Sequence, residues 1–212
     1  MTAPPVFYYD LTDPISYLAA ERIHAVLEVV SEWEPVLGVE LGVAPAAVDP
    51  GWLEERADQF GLLPVRLPGG SWGGPAGHMA GRDGPPGGLA AGATAALAAT
   101  YAKQIGKVVS FSLAAFRQAF AGGADLGQES TVLLAGAASE IHPRALLPAI
   151  SRPSVSDALR RACDRAQTAG VVRLPAIEVG GSLLSGDHAV EQAAALMSVA
   201  GHRAELRDSR DQ

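Results

Sequence analysis

The sequence predicts an α/β protein in which a long helical segment interrupts a single sheet. Three observations predict it. The chain opens with a strand-helix-strand pattern over residues 6–39, has helical character over residues 49–151, and closes with helix, strands and helix over residues 154–200. Strands from both ends of the chain can then share one sheet that carries helices on its faces. We therefore predict a discontinuous domain formed by residues 1–48 and 152–212, with a helical insertion domain formed by residues 49–151.

The first unit is a compact β-α-β pattern. Residues 6–11 have the composition of a strand, and residues 33–39 form a second strand-like run. Between them, residues 14–30 place apolar side chains at steps of three and four, which is typical of a helix with one buried face. Tyr8 and Tyr9 in the first strand should face opposite sides of the sheet.

The middle segment is predicted to be mostly helical. Asp49 and Pro50 open its first helix as a cap and a first-turn proline, and this helix should end at Gly61. Residues 63–88 are so rich in Gly and Pro that we assign them no regular structure, and a loop of this length is typically functional or disordered. Further helices are predicted over residues 89–105, 110–121, 128–140 and 143–151.

The last segment returns to mixed character. Ser154 stands three residues before Asp157 in a capping-box pattern, and the helix that it opens should end at Gly170. The run "VVRLPAIEVGGSLLSGDH" then predicts a strand, Pro175, a second strand, a glycine turn and a third strand. A final helix should span residues 188–200, followed by a frayed, charged tail.

Composition and charge exclude several classes of function. The net charge of -7 argues against a surface for nucleic acid or anionic membranes, because those surfaces need clustered Lys and Arg. No apolar run approaches the roughly 20 residues of a membrane span. The N-terminus carries no basic residue before its first strand, so we expect a cytoplasmic protein without a secretory signal. The expected partner is a small molecule, and a homodimer is an oligomeric state that the sequence leaves open.

Cysteine and histidine usage limits the available chemistry further. Cys163 is the sole cysteine, which excludes an intrachain disulfide and a CxxC redox pair, and its place on an apolar helix face indicates a core residue. The five histidines show no ligand spacing, so we expect no metal site.

Four separated motifs resemble one superfamily. They are "FYYDLTDPISYLA" at residues 7–19, "EWEPVLG" at 32–38, "RLPAI" at 173–177 and "LLSGDH" at 183–188. In order and spacing they resemble thioredoxin-fold proteins of the DsbA type, most closely the branch of 2-hydroxychromene-2-carboxylate isomerases and kappa-class glutathione transferases. The resemblance covers nearly the whole chain and implies a thioredoxin-like fold with a helical insertion domain.

The resemblance also implies a site for glutathione or another low-molecular-weight thiol. In that branch, a serine just before the helix-start proline hydrogen-bonds the thiolate, and redox-active relatives have the first cysteine of CxxC there. The matching residue in this chain is Asp13, and Ser16 matches the second cysteine of the redox relatives. The chain therefore departs from the family pattern at the reactive position.

Three further positions carry over from the resemblance. Leu174 and Pro175 match the pair that contains a cis-proline and binds the peptide backbone of the thiol. Gly186 stands where kappa-class enzymes often have a serine, and Asp187 matches the acidic residue that binds the γ-glutamyl amine. Asp187 could equally cap the last helix.

Asp13 has two open interpretations. Backbone N–H groups and the helix dipole favour negative charge at a helix N-terminus, so we expect a lowered pKa and an ionised carboxylate that competes with a bound thiolate. As a general base, Asp13 would take a proton from a thiol or a carbon acid while Ser16 or Thr12 donates to the developing anion. Alternatively, Asp13 is only the N-cap that precedes Pro14.

Two functions follow from these interpretations. The first is a thiol-dependent isomerase or transferase acting on a small hydrophobic substrate. The second is a non-catalytic binding or scaffold protein that retains the fold. Dithiol oxidoreductase activity is disfavoured, because Asp13 and Ser16 occupy the two redox positions and one cysteine elsewhere cannot supply a CxxC mechanism.

Overall fold

The sheet joins strands from both ends of the chain, as the sequence predicts. The computed structural model describes residues 3–43, 48–67 and 92–208. Four strands are arranged in the order β2-β1-β3-β4. β1 (Val6–Tyr9) pairs in parallel with β2 (Glu32–Pro35) and antiparallel with β3 (Ala176–Val179), and β3 pairs antiparallel with β4 (Ser182–Ser185). Tyr8 lies opposite Ala176, at the edge where β1 ends.

Helices make up most of the remaining described chain. They are α1 (Pro14–Leu27), α2 (Pro50–Gln59), α3 (Ala93–Gln104), α4 (Val108–Phe116), α5 (Glu129–Ala138), α6 (Pro143–Ile150), α7 (Pro153–Thr168) and α8 (Ala189–Asp208). One π-helical turn, Arg117–Ala121, continues α4. Proline opens α1, α2, α6 and α7, where its fixed φ suits the helix and its missing N–H would have had no partner.

The side-chain alternation of β1 divides the core between the two faces of the sheet. Phe7 and Tyr9 are fully buried in the cluster that includes α1 and α4 side chains. Tyr8 faces the other side and packs in the cluster that contains Leu159 and Cys163 of α7. The predicted opposite orientation of the two tyrosines is confirmed, as is the core position of Cys163.

Three predicted elements differ in the structure. No strand forms over residues 171–174, because Val171 N–H still bonds the end of α7 and Val172 is 81% exposed. Ser154 does not cap α7, since Pro153 already begins the helix with Arg152 before it. α8 continues past Ala200 to Asp208, so part of the tail predicted to fray is helical.

The predicted Gly/Pro-rich segment lies mostly outside the described residues, and the predicted division into two domains is not tested by the structure. Residues 62–67 have no regular structure, whereas 68–91, most of the Gly/Pro-rich segment, lie outside the described residues. The division into two domains stays a prediction. In the described part of the chain, no helix has the length and apolar character that crossing a membrane requires.

Candidate functional site

The candidate site begins where β1 ends and the chain turns into α1. Asp10 follows the strand and is 9% exposed. Its Oδ1 accepts hydrogen bonds from the Thr12 N–H at 2.8 Å and the Thr12 hydroxyl at 2.7 Å. Its Oδ2 accepts the Gly38 N–H at 2.7 Å. The Asp10 carboxylate therefore connects the turn before α1 to the loop after β2.

Asp13 is the N-cap of α1, with its carboxylate directed at the helix. Oδ2 accepts the Ser16 N–H at 2.8 Å and the Ser16 hydroxyl at 2.6 Å, and Oδ1 accepts the Ile15 N–H at 3.4 Å. Asp13 is 7% exposed and Ser16 is fully buried. The hydroxyl protons of Ser16 and Thr12 are thus both directed to neighbouring carboxylates.

Burial raises the pKa of Asp13 to about 7, against the lowering expected from its position on the helix. The hydrogen bonds from Ser16 and Ile15 lower the pKa, and the nearby charge of Asp10 raises it further. Loss of hydration outweighs the helix N–H groups at this site, so the predicted direction was wrong. Asp13 can consequently exchange a proton near neutral pH, and its protonated form can donate a hydrogen bond.

The predicted proline turn lies beside this helix start. The Leu174–Pro175 peptide bond is cis, and both residues are buried. A Cβ added at Gly38 would lie 3.3 Å from Asp10 Oδ2 and 3.7 Å from Leu174 Cδ1, so Asp10 and Leu174 meet at this glycine. Among the described residues, the backbone N–H and C=O of Leu174 form no hydrogen bond.

Gly186 is joined to the same turn. Its N–H donates to the Pro175 carbonyl at 2.8 Å. Gly186 has a φ of +88°, and an added Cβ would lie 3.1 Å from Arg173 Cδ. This conformation favours glycine, which explains why a serine would be strained here.

Asp187 is held by an arginine of α2. Arg56 donates to Asp187 Oδ2 from Nε at 2.9 Å, and its Nη2 lies 2.8 Å from the same oxygen in an ion pair, while Oδ1 is buried without a hydrogen-bond partner among the described residues. Among the described residues, the hydrogen bond to this carboxylate comes from Arg56 and none comes from a backbone N–H of α8. The contacts thus give Asp187 an ion pair and no capping hydrogen bond.

The Phe60 ring contacts the arginine of this ion pair and a second arginine, Arg22. The guanidinium of Arg56 lies 4.4 Å from the centroid of the Phe60 ring, and that of Arg22 lies 3.5 Å from it. Arg22 is 7% exposed, forms an ion pair with Glu191 and donates from Nη2 to the Asp187 carbonyl. A cavity of about 330 Å³ opens between α2 and the start of α8. It is lined by Trp52, Glu55, Arg56, Gln59, Asp187 and His188.

Sequence reasoning did not identify Asp10, Arg22 or Arg56 as site residues. Asp10 stands three residues before Asp13 inside the first motif, which is a signal that could have identified it. Arg22 falls one helical turn after Leu18 on the buried face of α1, where a charged residue needs partners. Arg56 gave no comparable signal, because its partner is distant in the sequence.

Solved structures share this fold over nearly the whole chain. A 2-hydroxychromene-2-carboxylate isomerase superposes with a TM-score of 0.73 at 15% identity, covering 96% of this chain and 99% of that chain. A probable DsbA oxidoreductase from Streptomyces coelicolor gives a TM-score of 0.71 at 14% identity, covering 94% and 90%. The cytosolic disulfide reductase DsbM from Pseudomonas aeruginosa, in a structure with GSH, gives 0.61 at 12% identity, covering 94% and 100%.

These neighbours and the geometry of the site define a DsbA-like thioredoxin fold, which confirms the predicted α/β class. Comparison with protein-family models and with curated protein sequences gave no match. Within this class of fold, the chain has a single cysteine, Cys163, and no CxxC pair. Asp13 and Ser16 stand at the start of the helix that follows β1. Among the described residues, no group of three or more His, Cys, Asp and Glu side chains could hold a metal ion.

Proposed function

We propose that the protein binds glutathione or another low-molecular-weight thiol and uses it in an isomerase or transferase reaction on a small hydrophobic substrate. The thiol would lie where α1, the Leu174–Pro175 turn and Gly186 meet. The observation that carries the proposal is the buried carboxylate of Asp13 at the start of α1, whose pKa of about 7 suits proton transfer at neutral pH. A cytoplasmic location and a homodimer belong to the same proposal, and the relative described as cytosolic supports the location.

Proton transfer from the thiol to Asp13 leaves the charge at the helix start unchanged. Before transfer, the negative charge lies on the Asp13 carboxylate; afterwards it lies on sulfur, and the neutral acid donates a hydrogen bond to the thiolate. A free thiol has a pKa of about 8.5, so transfer to a group at about 7 costs roughly 2 kcal/mol. The N–H groups and dipole of a helix start contribute about 0.3–2 kcal/mol toward offsetting this cost.

Leu174 and Asp187 would each bind a different part of the thiol. The backbone N–H and C=O of Leu174 are suited to pair with the peptide backbone of a thiol such as glutathione. Asp187 would accept the γ-glutamyl amine, in competition with Arg56, which already neutralises this carboxylate. Affinity for glutathione should therefore be reduced by Arg56.

One observation favours a non-catalytic binding protein as the second candidate. The N–H and the hydroxyl of Ser16 both donate to Asp13 Oδ2, which is the arrangement of a fully engaged helix cap. In this case Asp13 would stabilise α1 and transfer no proton. The fold would then present a binding surface without chemistry.

Calorimetry and turnover separate the two candidates. The wild type should bind glutathione or a second thiol such as N-acetylcysteine, with the ultraviolet absorbance of a thiolate in the complex. Isomerisation of 2-hydroxychromene-2-carboxylate is the first reaction to assay, with Asp13→Asn as the variant that keeps a capping side chain but accepts no proton. If Asp13→Asn loses both the thiolate absorbance and the turnover, the result supports the enzyme candidate. Binding without turnover, unchanged in Asp13→Asn, supports the binding protein, and absence of thiol binding excludes both thiol roles.

A further inference from the structure

Asp10 ties together the segments that surround Asp13. Two hydrogen bonds from Thr12 and one from Gly38 reach its carboxylate, each between 2.7 and 2.8 Å. Gly38 in turn lies against Leu174. One buried side chain thus contacts the turn before α1 and the loop after β2, and shares a neighbour with the proline turn.

Thr12 is held from its other side as well. A Cβ added at Gly92, immediately before α3, would lie only 2.4 Å from Thr12 Cγ2. Gly92 also has a φ of +85°, which a side chain would strain. Thr12 is therefore fixed between Asp10 and Gly92, and Asp13 follows it directly in the chain.

An ionised carboxylate fits these three donors, whereas an amide does not. A carboxylate accepts at both oxygens, and its hydrogen bonds are strengthened by the charge. In an Asp10→Asn variant, the amide NH₂ would face a backbone N–H of either Thr12 or Gly38, and two donors cannot pair. The arrangement accordingly selects Asp at position 10.

We propose that Asp10 is a positioning residue, which orients the turn carrying Asp13 against the loops of Gly38 and Leu174 and holds a negative charge beside Asp13. The inference rests on the proposed function only for the importance of Asp13.

The charge of Asp10 should affect the protonation of Asp13, and few other charged groups lie near Asp13 to mask this effect. Asp10 is the charged group that acts on Asp13, and its charge favours the protonated form. The first turns of α1 and α3 carry no charged side chain. On α7, Cys163 lies near the Gly38 loop, its Sγ 3.5 Å from the Leu37 nitrogen, and the charge of Asp10 also acts on this thiol.

Titration of Asp13 by carboxyl-carbon NMR tests the proposal. In Asp10→Asn, the midpoint of Asp13 should fall by about half a pH unit or more, because a nearby negative charge is removed. Glu34→Gln is the matched control, since Glu34 is a buried carboxylate that accepts from Lys103 and Arg165. It should leave the midpoint unchanged. An equal midpoint in wild type and Asp10→Asn would overturn the proposal.

A second measurement needs only the wild-type protein and covers the case in which Asp10→Asn does not fold. The amide protons of Thr12 and Gly38 should exchange with solvent at least tenfold more slowly than unprotected amides. Unprotected exchange at both would also overturn the proposal. If no thiol binds but the Asp13 midpoint shifts in Asp10→Asn, the proposed function is refuted and the role of Asp10 stands. If a thiol binds but the midpoint does not shift, the role of Asp10 is refuted and the proposed function stands.

Discussion

Replacing Asp13 by Asn should make the protein more stable at alkaline pH. The pKa of Asp13 is about 7 in the folded protein, against 3.8 for the unperturbed group. A difference of about three units corresponds to roughly 4 kcal/mol of free energy, as an upper bound. The asparagine side chain keeps the capping acceptor but has no proton to lose.

The sign follows from proton binding. Between about pH 4 and pH 7, the folded protein keeps the Asp13 proton and the unfolded chain releases it, so the free energy of unfolding falls as pH rises. The stabilising contribution of the protonated acid is complete below the unfolded pKa and is lost as pH passes the folded value. Wild type and Asp13→Asn should therefore have similar stability near pH 4. At about pH 8 the variant should be more stable by up to about 4 kcal/mol.

Urea unfolding followed by circular dichroism over this pH range measures the effect. Asp49→Asn is the matched control, because Asp49 caps α2 ahead of a proline in the same manner but is exposed. This control keeps Asp13, so its free energy of unfolding should change with pH as that of the wild type does. A wild type that gains stability relative to Asp13→Asn as pH rises would refute the reasoning, because it would show that the helix N–H groups outweigh burial.

Three further predictions concern individual contacts. Arg56→Ala should raise the affinity for glutathione several-fold relative to N-acetylcysteine, because it frees Asp187; calorimetry with an unchanged ratio would contradict this. Tyr9→Phe should cost about 1–2 kcal/mol in urea unfolding, because it removes the buried 2.6 Å hydrogen bond to Ser112; a neutral result would show that Ser112 finds another partner. Cys163→Ser should cost about 1–3 kcal/mol, since a hydroxyl replaces a thiol in an apolar cluster. It should leave thiol binding unchanged, and reduction of insulin disulfides by either protein would contradict the expectation that dithiol oxidoreductase activity is disfavoured.

Local patterns in the sequence were sufficient for most of the fold. The Asp-Pro start of α1 and the alternation in β1 were expected from such patterns and are present. The cis peptide before Pro175 was implied by the family resemblance and is present as well. The strand expected over residues 171–174 is absent, and this segment is a connection in which Val172 is exposed. Its apolar composition resembles that of a strand, so composition alone could not tell the two apart.

The electrostatics of the site depended on information that the sequence does not hold. The direction of the Asp13 pKa shift is set by burial under tertiary contacts, which local capping rules leave out. Asp10 and Arg56 acquire their partners through contacts distant in sequence, at Gly38 and Asp187. Side chains of this kind can be assigned a role only once the segments are brought together.

The contacts of Phe60 with Arg22 and Arg56 have a consequence for how the protein unfolds. Arg22 belongs to α1, Arg56 to α2, and their carboxylate partners Glu191 and Asp187 lie at the beginning of α8. Phe60, which follows α2, contacts both guanidinium groups, so these contacts and the ion pairs connect the middle segment to both ends of the chain. Releasing α2 would leave the Asp187 carboxylate, which is only partly exposed, without Arg56 as its ion-pair partner. Loss of structure in the inserted helices should therefore be coupled to loss of the sheet, in a single cooperative transition.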